Sequence, residues 1–417
     1  MDRRKVLWMA GGFLTVLLLM VLTGSQSGLS FQAPGRARVA ATPAAMRTVM
    51  DQSESRKPLG GDIPYLTAVE DPYPTFNGIA VDPENNRVVM SDLNRSSVLL
   101  YDRMAHSKSG ELTVPLRRIF GPAAQLGYIA GIQVDSAEKE VFVAKNDGSG
   151  IRIFSYDDSG NAKPRRDLET PHQVWGMSLN RSRQELAITS QELGAILVYR
   201  RGAENLEPPL RVIRGDKTRM ADPHGIYLDS VNNEIVVANH GSHTKYFPYD
   251  SYLPHPDVLP TATGRIDPGS ITVYSAAAKG DVEPLRVIQG PRTGLDWPMQ
   301  IDVDPTHNEI VVANFGSDSV LIFNRTDKGD AGPARMIGGT RTGIVGPVGV
   351  AIDLKNDEIW VANFDDHTAV VFPRTANGNV PPKRIIRNAP AGSQTCGFSN
   401  AAAAAYDRKR KEIWVAN

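Results

Sequence analysis

Short apolar runs of four to six residues, separated by turn residues, fill most of this chain, and long 3.6-periodic stretches are lacking. Residues 308 to 323, "NEIVVANFGSDSVLIF", show the pattern: two runs split by Gly316, Ser317 and Asp318. Near copies stand at 233 to 240 (NEIVVANH), 357 to 364 (DEIWVANF) and 411 to 417 (KEIWVAN). In front of each lies another run that ends in an acidic or amide residue. This end recurs seven times, at Asp82, Asp135, Asn180, Asp229, Asp304, Asp353 and Asp407, at intervals of 53, 45, 49, 75, 49 and 54 residues. In every copy the residue ten further on closes the next run: Asp92, Lys145, Ser190, Asn239, Asn314, Asn363 and Asn417. A third run follows, as at Val98 to Tyr101 and Val320 to Phe323, and a fourth follows a Pro, as in "PLRRIFG" and "PLRVIQG".

Four short strands per unit, each too continuously apolar for a solvated face, predict sheets buried on both sides by their neighbours. With a period near 50 residues, that is an all-β, seven-bladed β-propeller of four-stranded antiparallel blades over residues 45–417. The seventh copy, 401–417, stops after two strands and leaves an open edge. Residues 45–70 are expected to complete it, with "MRTVM" as third strand and "PYLTAV" as fourth, so that N-terminal strands close the last blade. The second strand begins with Glu in six copies (Glu140, Glu185, Glu234, Glu309, Glu358, Glu412), and the fourth carries Arg in six (Arg117, Arg166, Arg211, Arg286, Arg335, Arg384). The exceptions are Arg87 and Leu66. If Glu of each blade meets Arg of the preceding blade, both exceptions fall on one contact, and the N-terminal strand belongs to blade seven.

Ahead of the repeats, Arg3, Arg4 and Lys5 precede an uncharged apolar stretch, residues 6–22. Its length suits either a cleaved signal peptide or a transmembrane anchor. Residues 23–44, rich in Gly, Ser, Ala and Pro, read as a flexible tether. Both alternatives imply export, with the propeller periplasmic, extracellular or membrane-anchored outside the cytoplasm. Lys plus Arg and Asp plus Glu balance at 46 each, so no net field favours nucleic acid. The single cysteine, Cys396, excludes an internal disulfide framework. No Gly-x-Ser-x-Gly, Gly-Lys-Ser/Thr or His-Glu-x-x-His motif occurs, which removes the usual support for serine esterase, nucleotide-hydrolysing and zincin readings.

The stretches "EIVVANFGSDSVLIF" and "DPHGIYLD" resemble NHL and YVTN-type propeller repeats, and the resemblance covers roughly residues 45–417. It implies the fold and no single activity, because such families include lactonase-like hydrolases, a zinc-dependent lyase and propellers that only bind proteins, glycans or peptides.

Candidate chemistry concentrates where copies depart from the common pattern. The fourth interval is long because of an insertion at 241–268, expected to emerge on the funnel face as a lid. Four of the eight histidines fall in and beside it: His224, His240, His243 and His255. His224, His240 and His243 are the candidate metal ligands, and Asp92, Lys145 and Asp250 the candidate catalytic groups. His172, Trp175, Tyr246, Tyr249, Trp297, Asn314 and Asn363 are the candidate ligand-binding residues, although the recurrent Asn residues also read as turn caps. His106, His307 and His367 read as solvated turn or loop residues. The leading expectation is an exported binding or scaffold propeller that recognises a peptide, glycan or protein partner on its funnel face, with no cofactor. The alternative is a metal-dependent propeller hydrolase or lyase, with a divalent metal near blade four.

Overall fold

Each first run ends in Asp or Asn because that side chain caps the turn into the next strand. Asp82 Oδ1 accepts the Glu84 and Asn85 N–H groups at 3.0 and 3.1 Å, and Asp304 Oδ1 accepts those of Thr306 and His307 at 2.8 and 2.9 Å. The last turn residue takes a left-handed φ, 52° at Asn86 and 57° at Asn308, which Asn tolerates well. Strand one then pairs antiparallel with strand two in the same way in these blades: Asp82 faces Arg87, Asp229 faces Glu234 and Asp353 faces Glu358, with a register shift near the start of strand one.

The computed structural model describes residues 72–417 apart from 109, 147–148, 246–262, 394, 396–402 and 417. Blade one is Phe76–Asp82, Arg87–Asp92, Ser97–Asp102 and Arg117–Ile119. Blade two is Ile129–Asp135, Glu140–Lys145, Ile151–Ser155 and Arg166–Leu168. Blade three is Val174–Asn180, Glu185–Ser190, Ala195–Arg200 and Arg211–Arg214. Blade four is Pro223–Asp229, Glu234–Asn239, Ser270–Ser275 and Arg286–Ile288. Blade five is Pro298–Asp304, Glu309–Asn314, Ser319–Asn324 and Arg335–Gly338, and blade six is Pro347–Asp353, Glu358–Asn363, Thr368–Pro373 and Arg384–Arg387. In every blade the strands lie in sequence order, the first innermost.

The expectation of seven four-stranded blades is therefore corrected to six. The strands Ala403–Asp407 and Glu412–Ala416 form, but as a two-stranded sheet that pairs with no blade among the described residues. Residues 45–70, expected to complete that sheet, lie outside the described residues. What overturns the count is the seam between blade six and blade one. A Cβ on Gly349 would lie 2.6 Å from the Asn77 carbonyl oxygen, so the two inner strands already touch and leave no space for another blade. Phe76, Met90 and Tyr101 of blade one share one buried core with Trp360, Ala362 and Ile386 of blade six. The Tyr101 hydroxyl donates to Asn388 Oδ1 at 2.5 Å. The connection after blade one's third strand runs along the outer edge of blade six, where the Ser107 and Thr113 N–H groups donate to Ile385 and Arg387 carbonyls at 2.6 and 2.7 Å.

The charge pattern is corrected in the same way. Glu and Arg pair inside one blade: Arg166 with Glu140, Arg211 with Glu185 and Arg286 with Glu234, each at 2.6 Å. Strands two and four both start at the same end of a blade and on the same face, so their first residues meet across strand three. The contact between blades comes from a different Arg, just past strand three of the next blade. Arg325 reaches Glu234 at 2.7 Å, Arg374 reaches Glu309 at 3.0 Å, and Arg103 reaches Glu358 at 3.1 Å across the seam. Blade one lacks the Glu, and the corresponding residue of blade two is Tyr156, whose hydroxyl donates to Asp82 Oδ2 at 2.7 Å.

The insertion in blade four begins as a hairpin, Ser242–Lys245 paired with Thr263–Ile266, directly after the end of the second strand. Among the described residues no helix is long and apolar enough to cross a membrane.

The seam can be tested with Gly349→Ala, because the added methyl meets fixed backbone and should cost about 1–3 kcal/mol in denaturant unfolding. Gly202→Ala meets only the flexible Arg200 guanidinium and should stay within about 0.5 kcal/mol. Equal effects would show that blades one and six are not in close contact.

Candidate functional site

The mouth of the funnel is built by one hydrogen bond repeated around the ring. The residue after strand two donates its N–H to the carbonyl of the residue before strand one: Leu93 to Thr75 (3.0 Å), Asn146 to Tyr128 (2.9 Å), Gln191 to Gln173 (2.9 Å), His240 to Asp222 (2.9 Å), Phe315 to Trp297 (3.2 Å) and Phe364 to Gly346 (2.9 Å). Because this scaffold is constant, differences in side chain mark the blades that do something particular. Blades six and one present Gly346, Val348, Phe364, Thr75, Asn77 and Leu93. Blades three to five present Trp175, Gln191, Asp222, His224, His240, Trp297 and Phe315 instead.

Those rings form a continuous ladder. Tyr128 meets Trp175 edge-on at 6.4 Å between centroids, Trp175 stacks on His224 at 4.3 Å, and His224 stacks on His240 at 4.8 Å. His240 tilts against Trp297 at 5.1 Å, and Trp297 stacks on Phe315 at 6.1 Å. The two histidines at the centre are buried, whereas Tyr128, Trp175, Trp297 and Phe315 are half-exposed. The Trp175 indole N–H donates to Gln191 Oε1 at 2.7 Å, which fixes the ring that starts the stack.

Beneath the ladder sits Asp222, held at a left-handed φ of 58°. Its carboxylate lies 3.3 Å from His224 Nδ1 through one oxygen and 3.3 Å from His240 Nδ1 through the other. Neither oxygen receives a well-aligned hydrogen bond. His224 Nδ1–H donates to the Asp222 backbone carbonyl at 3.0 Å, so the proton of the neutral ring sits on Nδ1 and Nε2 keeps its lone pair. Burial pushes the His224 imidazole down to about 4, with the Asp222 charge opposing that shift and His240 adding to it. The ring is therefore neutral at physiological pH.

Of the expected site residues, His224, His240, Trp175 and Trp297 are brought together. His243 lies on the Ser242–Lys245 strand, and Tyr246, Tyr249 and Asp250 fall outside the described residues. Among the described residues no group of three or more His, Cys, Asp or Glu side chains is placed to hold a metal. Asp92 is a buried cap: it accepts the Thr75 N–H at 2.8 Å, the Arg95 N–H at 3.1 Å and the Ser97 hydroxyl at 2.5 Å, and burial pushes its carboxyl up to about 6. Asn314 and Asn363 are caps too. Asn314 accepts the Asp296 N–H at 2.7 Å and donates to the Gly294 carbonyl at 3.0 Å; Asn363 accepts the Val345 N–H at 3.2 Å and donates to the Gly343 carbonyl at 2.6 Å. Lys145 is half-buried, and burial, then the nearby Arg152, lowers its ammonium. The His172 carbonyl accepts the Ser190 hydroxyl at 3.1 Å, and its ring stands 3.8 Å from Glu192. His367 is not solvated as expected: it is fully buried at the seam, donating through Nδ1 to the Pro74 carbonyl at 2.7 Å.

A second polar feature, absent from the sequence reading, lies in the central channel. Inner strands of all six blades line a cavity of about 480 Å³. The equivalent positions Ala80, Gln133, Ser178, Tyr227, Asp302 and Ala351 become polar in blades two to five. Asp302 accepts the Ile352 N–H at 2.7 Å and the Val303 N–H at 2.8 Å, tying blade five to blade six. Burial pushes its carboxyl up to about 7, partly offset by those two bonds.

The fold and its funnel define the protein as a β-propeller, a class that serves either as a binding platform or as an enzyme. No family model matches the chain, and no curated protein matches it.

Asp302 makes a pH prediction. Its folded value of about 7 lies above the ordinary carboxyl value of 3.8, so the folded state binds the extra proton between them. The contribution of Asp302 to stability therefore falls as pH rises from about 4 to about 7 and then levels off. In Asp302→Asn this fall should vanish, so the Tm difference between variant and wild type should grow across that window. A difference that stays constant from pH 4 to 8 would show that Asp302 ionises freely.

Proposed function

We propose that this is an exported binding propeller whose funnel face recognises an extended peptide or glycan, or a segment of a protein partner, across blades two to five. One observation carries the reading: the ladder of six rings from Tyr128 to Phe315, with half-exposed Trp and Tyr at its ends, occupies one side of the mouth only. Amphipathic rings of this kind offer large contact area at low entropic cost and dominate binding energetics. The hairpin at Ser242–Lys245 and Thr263–Ile266 rises from the same mouth and supports the lid reading. The resemblance of the repeats to NHL and YVTN-type propellers fits a platform role, and the basic flank and apolar stretch of residues 6–22 support export.

The test is a glycan and peptide array screen with residues 43–417, followed by titration of the best ligand into Trp175→Ala and Trp297→Ala. Each variant should lose at least about tenfold in affinity, or about 1.4 kcal/mol, without loss of folding. Unchanged affinity in both would sink the ladder as the binding surface. Elemental analysis of the same protein tests the alternative. Close to one metal per chain, lost in both His224→Ala and His240→Ala, would replace this reading by a metal-dependent hydrolase or lyase.

A further inference from the structure

One blade breaks the capping rule, and it breaks it in the direction of a missing acceptor. Five of the six residues that close the second strand offer an acceptor oxygen: Asp92, Ser190, Asn239, Asn314 and Asn363. In four of them that oxygen takes an N–H from the segment entering strand one: Thr75 (2.8 Å), Ala221 (3.3 Å), Asp296 (2.7 Å) and Val345 (3.2 Å). Ser190 accepts instead from Leu193 at 3.4 Å. Blade two has Lys145 at this place. An ammonium group has three donors and no acceptor, so Lys145 cannot do what the other five do.

The groups around Lys145 deepen the deficit. Val143 pairs with Arg152 across strands two and three, which puts the Lys145 and Arg152 side chains on one face of the blade. The Arg152 guanidinium folds back against Gly150, where a Cβ would sit 2.6 Å from Nη1; the Gly150 carbonyl in turn accepts the Lys145 N–H at 3.0 Å. Arg152 is only 5% exposed. Its Nη2 reaches Glu169 at a long 3.4 Å, while Nε and Nη1 have no partner among the described residues. Asn146, the next residue after Lys145, is 7% exposed and its Nδ2 has no partner among the described residues either. A buried guanidinium with unmet donors is costly, and native proteins rarely keep one without an anion to receive them.

We propose that this corner of blade two is an oxyanion site: a carboxylate or phosphate-type group held by Arg152, Lys145 and Asn146 supplies the acceptor that the other blades carry in the chain. Arg152 contributes a directional donor from Nη1, the nitrogen that lies against Gly150, and Lys145 adds a flexible point charge. Gly150 matters because its missing side chain leaves room for the guanidinium. The site stands independently of the ring ladder, but it adjoins it, since Asn146 is bonded to Tyr128, the first ring of that ladder.

Thermal unfolding of the exported chain decides the matter, in sodium chloride against sodium phosphate and sodium acetate at matched ionic strength. The wild type should show a saturable Tm rise at low-millimolar concentration with phosphate, acetate or both, as expected for a ligand that binds only the folded state. A rise with acetate alone identifies a carboxylate ligand, and a rise with phosphate alone a phosphoryl one. In Arg152→Leu and in Lys145→Asn the rise should disappear, and Lys145→Asn should be more stable than wild type in chloride because it installs the cap of blades four to six. No saturable rise with either anion overturns the proposal. So does an equal rise in both variants, which would reduce the effect to general salt stabilisation.

Discussion

The contact between the inner strands of blade six and blade one is the constraint on which the rest of the molecule depends. A propeller blade is flat and apolar on both faces, so every blade needs a neighbour on each side, and only a closed ring provides that without a free edge. Here closure is achieved at six blades, because Gly349 brings its strand against the Asn77 carbonyl and Trp360 fills the core opposite Phe76 and Tyr101. Arg103, bridging to Glu358, and the connection through Ser107 and Thr113 hold the outer part of the same seam. The width of the channel and the position of each first strand at the funnel mouth follow from that closure.

A closed ring also explains why the side chains that depart from the repeat stand out in a few blades. The mouth hydrogen bond and the turn caps use the same atoms six times, so they cannot distinguish one blade from another. What distinguishes one blade from another is the side chains that this repeated scaffold does not use. They include Trp175, His224, His240 and Trp297 at the mouth, Tyr227 in the channel, and Arg152 with Lys145 at the rim. All lie in blades two to five, opposite the seam, where Trp360 and His367 are committed to packing.

Much of this was legible in the sequence. Strand positions, the turn residues and the in-sheet order could be read from the repeat, because alternating runs and Asp caps are local features. The blade count could not, since a repeat count counts hairpins, while closure depends on how closely inner strands pack. The Glu and Arg positions were found, but their pairing was misassigned between blades: register across strand three puts them in one blade. At the mouth, His224, His240, Trp175 and Trp297 stood out because they interrupt a repeat. Asp222 did not, since "ADPHG" reads as an ordinary turn, and only the fold shows its carboxylate between two imidazoles. Asp302 and Arg152 were hidden for a related reason. Each sits inside a short apolar run, and their isolation is visible only once the channel and the rim are built. A usable signal existed for Lys145, the only cation among the six residues that close a second strand within a blade.

The most direct measurement is a truncation to residues 72–395, which keeps the six blades and removes both the preceding segment and the C-terminal hairpin. If the ring closes between blades six and one, this fragment folds and unfolds cooperatively in denaturant, with a midpoint close to that of residues 43–417. Failure to fold, or loss of cooperativity that returns when the C-terminal hairpin and residues 45–70 are restored, would mean that the seam between Gly349 and Asn77 does not close the ring.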